Sequence, residues 1–294
     1  MDAIGRAALS LDGLSVGDAF GEQFFVAPDE VARRVQERAL PAAPWAYTDD
    51  TEMALSIVAM LRERGTVDQD RLAVLFAERM SSSRDYGKGT HAILSGVKDG
   101  LDWRRINRTG LGGKGSVGNG AAMRVAPLGA FFADRPIAIV CEQARLSAEV
   151  THVHVEGIAG AIAVAAAAAL AWRERANAGP LGHAWIAAVR DAIPRGYTRD
   201  AVSGALNVPA EAAISEAAEA LGNGSHVSAP DTVPLCIWIL AHAAGGFEQA
   251  LWRTVSALGD RDTTCAIVGG VLALKLGGQG IPRNWLAARE ALPQ

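Results

Sequence analysis

Apolar positions along the chain recur every three or four residues rather than every second one, and short polar runs punctuate them. Alanine, leucine and charge at this spacing predict helices over Asp50–Arg64, Asp70–Met80, Pro136–Ala148, Glu156–Arg175, Gly182–Ile193, Pro209–Leu221 and Thr263–Leu276. No stretch alternates apolar and polar residues with β-branched or aromatic enrichment, so strands are not expected. Turn residues separate the helices at Pro41–Pro44, Ser81–Ser83, Gly110–Gly120, Ala178–Pro180 and Gly222–Gly224. Asp70 is expected to cap the helix that follows it, and Asp200 and Pro209 stand where helix starts are expected. The pattern predicts an all-α fold. With no linker rich in Pro, Gly or Ser and no internal repeat, residues 1–294 read as one compact domain.

Composition adds limits. The chain is 50% hydrophobic and 20% charged with a formal net charge of −4, which excludes a broad basic footprint for nucleic acid or a membrane surface. A local basic pocket for a diphosphate remains compatible with that charge. Gly157 to Trp172 is apolar throughout but covers only about 16 residues, fewer than the roughly 20 that span a bilayer, so it reads as a buried central helix. Cys141, Cys236 and Cys265 are isolated and read as buried thiols. The N-terminus lacks the basic and apolar blocks of a signal peptide, and the expectation is a cytoplasmic protein with no membrane partner.

Two acidic clusters carry the candidate chemistry. Thr48-Asp49-Asp50-Thr51-Glu52 stands where a loop enters a helix, and Asp260-Arg261-Asp262-Thr263 leads into a second one. Each offers two carboxylates and a hydroxyl, the oxygen donors that hard cations such as Mg²⁺ or Mn²⁺ take. Each alone is also an ordinary helix cap with acids in its first turn. A third segment, Gly115-Ser116-Val117-Gly118-Asn119-Gly120-Ala121-Ala122-Met123-Arg124, joins glycines to a helix start, where backbone N–H groups can cradle a diphosphate. It fits neither the P-loop nor the dinucleotide fingerprint.

Taken in order, these segments resemble the ADP-ribosylglycohydrolase family, which includes the dinitrogenase-reductase-activating glycohydrolase. The matching pieces are Gly13-x-x-x-Gly17-Asp18-Ala19-Phe20-Gly21, Tyr47-Thr48-Asp49-Asp50-Thr51-Glu52-Met53 and Tyr86-Gly87-x-Gly89-Thr90. They continue with Gly115 through Pro127, Thr151-His152, and Gly259-Asp260-x-Asp262-Thr263. The resemblance implies a compact orthogonal multi-helix bundle with a binuclear metal centre in a cleft. It implies ligands from Thr48, Asp49, Asp50, Asp260, Asp262 and Thr263 for two divalent cations, Mg²⁺ first and Mn²⁺ second. It also implies a substrate loop of Gly115, Ser116, Val117, Gly118 and Asn119, with Met123 and His152 beside it. Asp18 is expected to organise the first loop, and His154 to be structural.

The activity the resemblance implies is hydrolysis of the bond between ADP-ribose and an acceptor, with arginine on a protein as the favoured acceptor. Serine, O-acetyl and nucleic-acid linkages stand as alternatives, as does a non-catalytic ADP-ribose reader; the default assembly is a monomer. Asp49, Asp50, Asp260 and Glu22 are the candidates for acid–base work. Three departures from the family pattern stand out. Leu258 replaces a usual glycine, Phe25 stands where some relatives carry a catalytic glutamate, and Val117 replaces an aromatic residue that would stack on adenine. Trp103 and Trp238 are the remaining aromatic candidates for that stacking, with a core role as their plainer reading.

Overall fold

The computed structural model describes residues 1–109 and 113–293. Its helices in chain order are α1 (Ala3–Glu22), α2 (Pro28–Glu37), α3 (Asp49–Arg64), α4 (Gln69–Arg79), α5 (Lys88–Lys98), α6 (Trp103–Thr109), α7 (Gly120–Met123), α8 (Ala126–Phe131) and α9 (Ile137–Glu149). They continue as α10 (Val155–Arg173), α11 (Gly182–Ala192), α12 (Tyr197–Gly204), α13 (Ile214–Leu221), α14 (Ala229–Ala241), α15 (Gly246–Ser256), α16 (Arg261–Leu276) and α17 (Arg283–Ala288). Among the described residues there is no strand, only isolated bridges at Trp45–Arg289 and Gly118–Ser228. The all-α expectation holds.

The most extensive helix–helix packing among the described residues joins α1 to α16. Gly13, Gly17 and Gly21 repeat every fourth residue and so line one face of α1. A Cβ on Gly17 would lie 2.1 Å from the Cys265 carbonyl oxygen, and one on Gly21 would lie 2.2 Å from that of Arg261. The motif therefore exists so that two helix backbones can touch, and it draws the Asp260–Asp262 end of α16 against the C-terminal end of α1. Phe20 at that end stacks on Trp285 at 4.4 Å and meets Phe24, Trp45 and Trp252 edge-on or tilted, closing the far side with an aromatic cluster. Helix α10 runs through the core and touches α7, α8, α9, α11, α12, α14 and α16. It is the one helix among the described residues long and apolar enough to cross a membrane by composition, and 83% of that window is buried within the protein.

Local differences from expectation have local causes. The N-cap of α4 is Asp68, whose carboxylate accepts the Arg71 N–H at 3.0 Å; Asp70, expected there, sits in the first turn and accepts the Trp103 indole N–H at 2.9 Å. Pro209 starts no helix: α13 begins at Ile214, where Glu216 reaches back to the Ala213 N–H at 3.1 Å. Asp200 lies inside the first turn of α12 rather than at its start, a place that the helix dipole also favours for an acid. Of the glycine break expected at Gly110–Gly120, Gly110, Leu111 and Gly112 lie outside the described residues. Helices α1 and α14 carry little one-sided pattern, because both are buried on nearly every side, and α14 holds Pro234 inside it.

Candidate active site

The two acidic clusters meet at one cleft. Asp49 and Asp50 open α3, Asp260 and Asp262 open α16, and all four line a cavity of about 260 Å³ with Thr263, Ser116, Gly118, Asn119, Gly120, Met123 and His152. Thr48 caps α3 through a side chain that accepts the Asp50 N–H, and it stands behind the wall rather than on it. Of the predicted substrate loop, Gly115 lines an adjoining, mostly apolar cavity of about 300 Å³, and Val117 turns outward, 43% exposed. Asp85, Gly87, Lys88, Gly89, Thr90 and Val227 also line the acidic cleft. Sequence reading gave them no role, although Gly87, Gly89 and Thr90 belong to a family-like motif whose flanks pointed to the rest.

Asp18 is not a loop residue. It lies inside α1, fully buried, and accepts four hydrogen bonds from the start of α3: the Thr48 and Thr51 N–H groups and both their hydroxyls. It organises the second motif rather than the first. Burial outweighs these donors and pushes its carboxyl up to about 6. The same desolvation, compounded by neighbouring carboxylates, holds Asp49, Asp50 and Asp262 well above the usual carboxylate range. Asp260 is tied differently: Asn119 Nδ2 donates to its Oδ2 at 2.6 Å and to the Thr232 hydroxyl at 3.0 Å, which links the glycine loop to α16 and α14.

Asp50 Oδ1 and Asp262 Oδ1 are buried and accept no hydrogen bond. Two orphan carboxylate oxygens in one anionic pocket are what bound cations would satisfy, so the donor set fits hard divalent ions. Among the described residues no three acidic, histidine or cysteine side chains are already drawn into a ready-made ligand set, so the fit rests on these orphan oxygens and on the mutual proximity of the acids.

Glu52, also in the first turn of α3, is occupied by structure: it accepts from the Tyr86 hydroxyl at 2.8 Å and the Ser81 N–H at 3.0 Å. Glu22 ends α1, half-buried, outside the cleft lining but within electrostatic range of Asp18, Asp85 and Asp260; burial first, then Asp18 and Asp85, lift its carboxyl to about 7. Phe25, where the resemblance set the expectation of a glutamate in some relatives, packs under the Arg261 guanidinium at 4.6 Å and supplies no acid. Trp103 and Trp238, the candidates for adenine stacking, line neither cavity: both are buried, and their indole N–H groups donate to Asp70 and to the Val208 carbonyl. His154 caps α10, accepting the Glu156 N–H at 3.1 Å, as its plainer reading expected.

His152 lies against the glycine loop. A Cβ on Gly118 would come within 3.3 Å of its Nε2, and one on Gly120 within 3.0 Å of its Cε1, so the loop approaches the ring only because it lacks side chains there. Burial and the nearby Arg124 charge push the imidazole down to about 3, so it is neutral across ordinary pH. Leu258 adopts the left-handed conformation with φ 60°, directly before Gly259 at 65°. That conformation would suit a glycine better than a leucine, and it places a strained residue two positions before Asp260.

Comparison with known proteins agrees with this geometry. The family profile described as ADP-ribosylglycohydrolase matches residues 1–293. A human protein named ADP-ribosylhydrolase ARH3 is 30% identical, over 94% of this chain and 86% of its own. An uncharacterised protein of Archaeoglobus fulgidus is likewise 30% identical, over 93% of this chain and 88% of its own. A solved structure titled ADP-ribosylglycohydrolase-related protein complex superposes with a TM-score of 0.69 at 26% identity, covering 98% of this chain and 93% of the other.

Proposed function

The chain belongs to the ADP-ribosylglycohydrolase family, and on that premise we propose that it hydrolyses the glycosidic bond between ADP-ribose and an acceptor at the acidic cleft between α3 and α16. The observation that carries this reading is the convergence of Asp49, Asp50, Asp260 and Asp262 from opposite ends of the chain onto one cavity, beside the glycine loop. Two divalent cations, Mg²⁺ or Mn²⁺, would be held by those four carboxylates, with Thr263 at the edge; Thr48, expected as a ligand, would act only from behind the wall by fixing the start of α3. When bound, they supply Lewis acidity that lowers the pKa of water and orients ribose hydroxyls.

The protein's own groups do the rest. The cleft side of the glycine loop, with Ser116, Gly118 and Asn119, and the start of α7 receive the diphosphate, with Met123 beside them. His152 donates a hydrogen bond to a ligand oxygen. A carboxylate takes the proton from the attacking water: Asp49, Asp50 and Asp260 line the cleft, and Glu22, half-buried just outside that lining with its carboxyl lifted to about 7, is the remaining candidate. The carboxylate wall stabilises the positive charge that develops at the anomeric carbon. Val117 cannot stack on adenine, and the aliphatic second cavity, with Ile93 and Ile106, receives the base instead.

Arginine on a protein is the acceptor we propose. Asp85, which belongs to neither acidic cluster, adds a further carboxylate to the cleft and favours an arriving guanidinium. Incubation with arginine-ADP-ribosylated protein, with Mg²⁺ and then EDTA, should release free ADP-ribose only with metal. Release from serine-linked or O-acetyl material and not from arginine would overturn the acceptor and leave the hydrolase. Metal-dependent binding of ADP-ribose with no release from any acceptor would make the protein a reader.

A further inference from the structure

Arg124 is an unusual residue to find at the centre of a helical core. It is fully buried, makes no salt bridge among the described residues, and stacks 4.6 Å over the Phe76 ring. Its Nη2 donates to the Ser147 carbonyl at 3.2 Å and to the Thr151 hydroxyl at 2.8 Å. The Thr151 hydroxyl lies 2.7 Å from His152 Nδ1 and is itself buried. These contacts form a chain from the core to the cleft: Arg124, Thr151, His152.

Hydrogen-bond accounting along this chain leaves one arrangement. A guanidinium only donates, so the Thr151 oxygen accepts from Arg124. The hydroxyl carries one hydrogen, and among the described residues its other hydrogen-bond partner is His152 Nδ1. If Nδ1 carried the ring proton, two donors would point at the Thr151 oxygen and the hydroxyl hydrogen would be buried without an acceptor. With Nδ1 as the acceptor, the threonine hydrogen is used, and the ring proton must sit on Nε2. Among the described residues Nε2 has no protein partner, and it lies at the edge of the ring that faces Gly118 and Gly120 in the cleft.

We propose that Arg124 and Thr151 are positioning residues that lock His152 in the neutral Nε2–H tautomer, so that the cleft presents a fixed hydrogen-bond donor to a phosphate or ribose oxygen of the ligand. The ligand half of this proposal rests on the reading of the cleft as an ADP-ribose site; the tautomer half stands on the protein alone. The lock explains why a charged residue is kept in the core. Only an obligate donor such as arginine forces the threonine to pass its hydrogen outward. An apolar residue in that place would leave the hydroxyl free to turn either way.

The test is nitrogen NMR of the full-length protein labelled with ¹⁵N-histidine, the His152 signals being those missing from His152→Ala. Wild-type His152 should show a protonated Nε2 and a bare Nδ1 at neutral pH. Thr151→Val removes the hydroxyl with little change of shape and should give a mixture of tautomers, whereas Thr151→Ser should restore the wild-type pattern. ADP-ribose titrated into the same proteins should bind about tenfold more weakly to Thr151→Val and normally to Thr151→Ser, the scale of one lost hydrogen bond. A protonated Nδ1 in the wild type, or an unchanged tautomer in folded Thr151→Val, would overturn the lock. The expected tautomer pattern with no ADP-ribose binding to the wild type would support the lock and overturn the reading of the ligand.

Discussion

Asn119 and Asp260 are joined by a 2.6 Å hydrogen bond across 141 residues of sequence. The amide belongs to the glycine loop and the carboxylate to the N-cap of α16, so this contact sets the loop that faces the ligand against one side of the acidic cluster. Because the same amide also donates to the Thr232 hydroxyl at 3.0 Å, three segments of the chain share one side chain. Asn119→Ala should therefore weaken both cation and ADP-ribose binding while secondary structure by circular dichroism stays intact. Loss of only one of the two affinities in calorimetric titrations would mean that the loop and the cluster act separately.

Charge neutralisation at the cluster should separate function from stability. Asp50→Asn and Asp262→Asn each remove a carboxylate whose neighbours repel it, so the metal-free protein should melt at the same or a higher temperature. Both should lose most of the thermal stabilisation that Mg²⁺ gives and most of the hydrolysis. A variant that melts lower without metal and keeps full Mg²⁺ response would remove that residue from the cation set.

The pH dependence of the metal-free protein has a definite sign. Asp18 is raised from 3.8 to about 6 and Glu22 from 4.5 to about 7, so between these limits the folded state holds more protons than the unfolded chain. Stability from these groups is fully present below about pH 4 and is lost as the pH rises through 6 and 7. Melting temperature in EDTA should fall across that window, and Mg²⁺ should flatten the fall. A melting temperature that climbs steadily from pH 5 to 7 in EDTA would show that these acids are not held protonated.

Glu22→Gln tests the proton-transfer assignment. The amide keeps the shape but cannot take a proton, so kcat should fall by roughly a hundredfold with KM little changed. The limb of the pH–rate profile near 7 should disappear with it. Retention of that limb would assign the base to one of Asp49, Asp50 or Asp260.

Val227 carries backbone strain at the mouth of the cleft. It is β-branched, 59% exposed and left-handed with φ 50°, a conformation that asparagine tolerates far better. Val227→Asn should stabilise the protein by about 1 kcal/mol, read from denaturant melts. A loss of stability would show that the valine side chain contributes more through packing than its backbone costs.

Much of this molecule was legible before folding. Helices α3, α4, α9, α10, α11 and α16 follow from spacing within a few residues, and the ordered motifs carried the family and both acidic clusters. Those rules are local: a helix needs only its own i, i+3 and i+4 neighbours to announce itself. Tertiary packing decided the rest. That Asp18 serves α3 rather than its own segment, that Asp68 and not Asp70 caps α4, and that Trp103 and Trp238 stay in the core all depend on which surfaces pack together. The convergence of Asp50 with Asp262, and of Asn119 with Asp260, depends on the glycine face of α1 seating α16 at backbone contact. The residues at each acidic cluster are determined by sequence, but their shared electrostatic field exists only once packing has excluded water and brought like charges together.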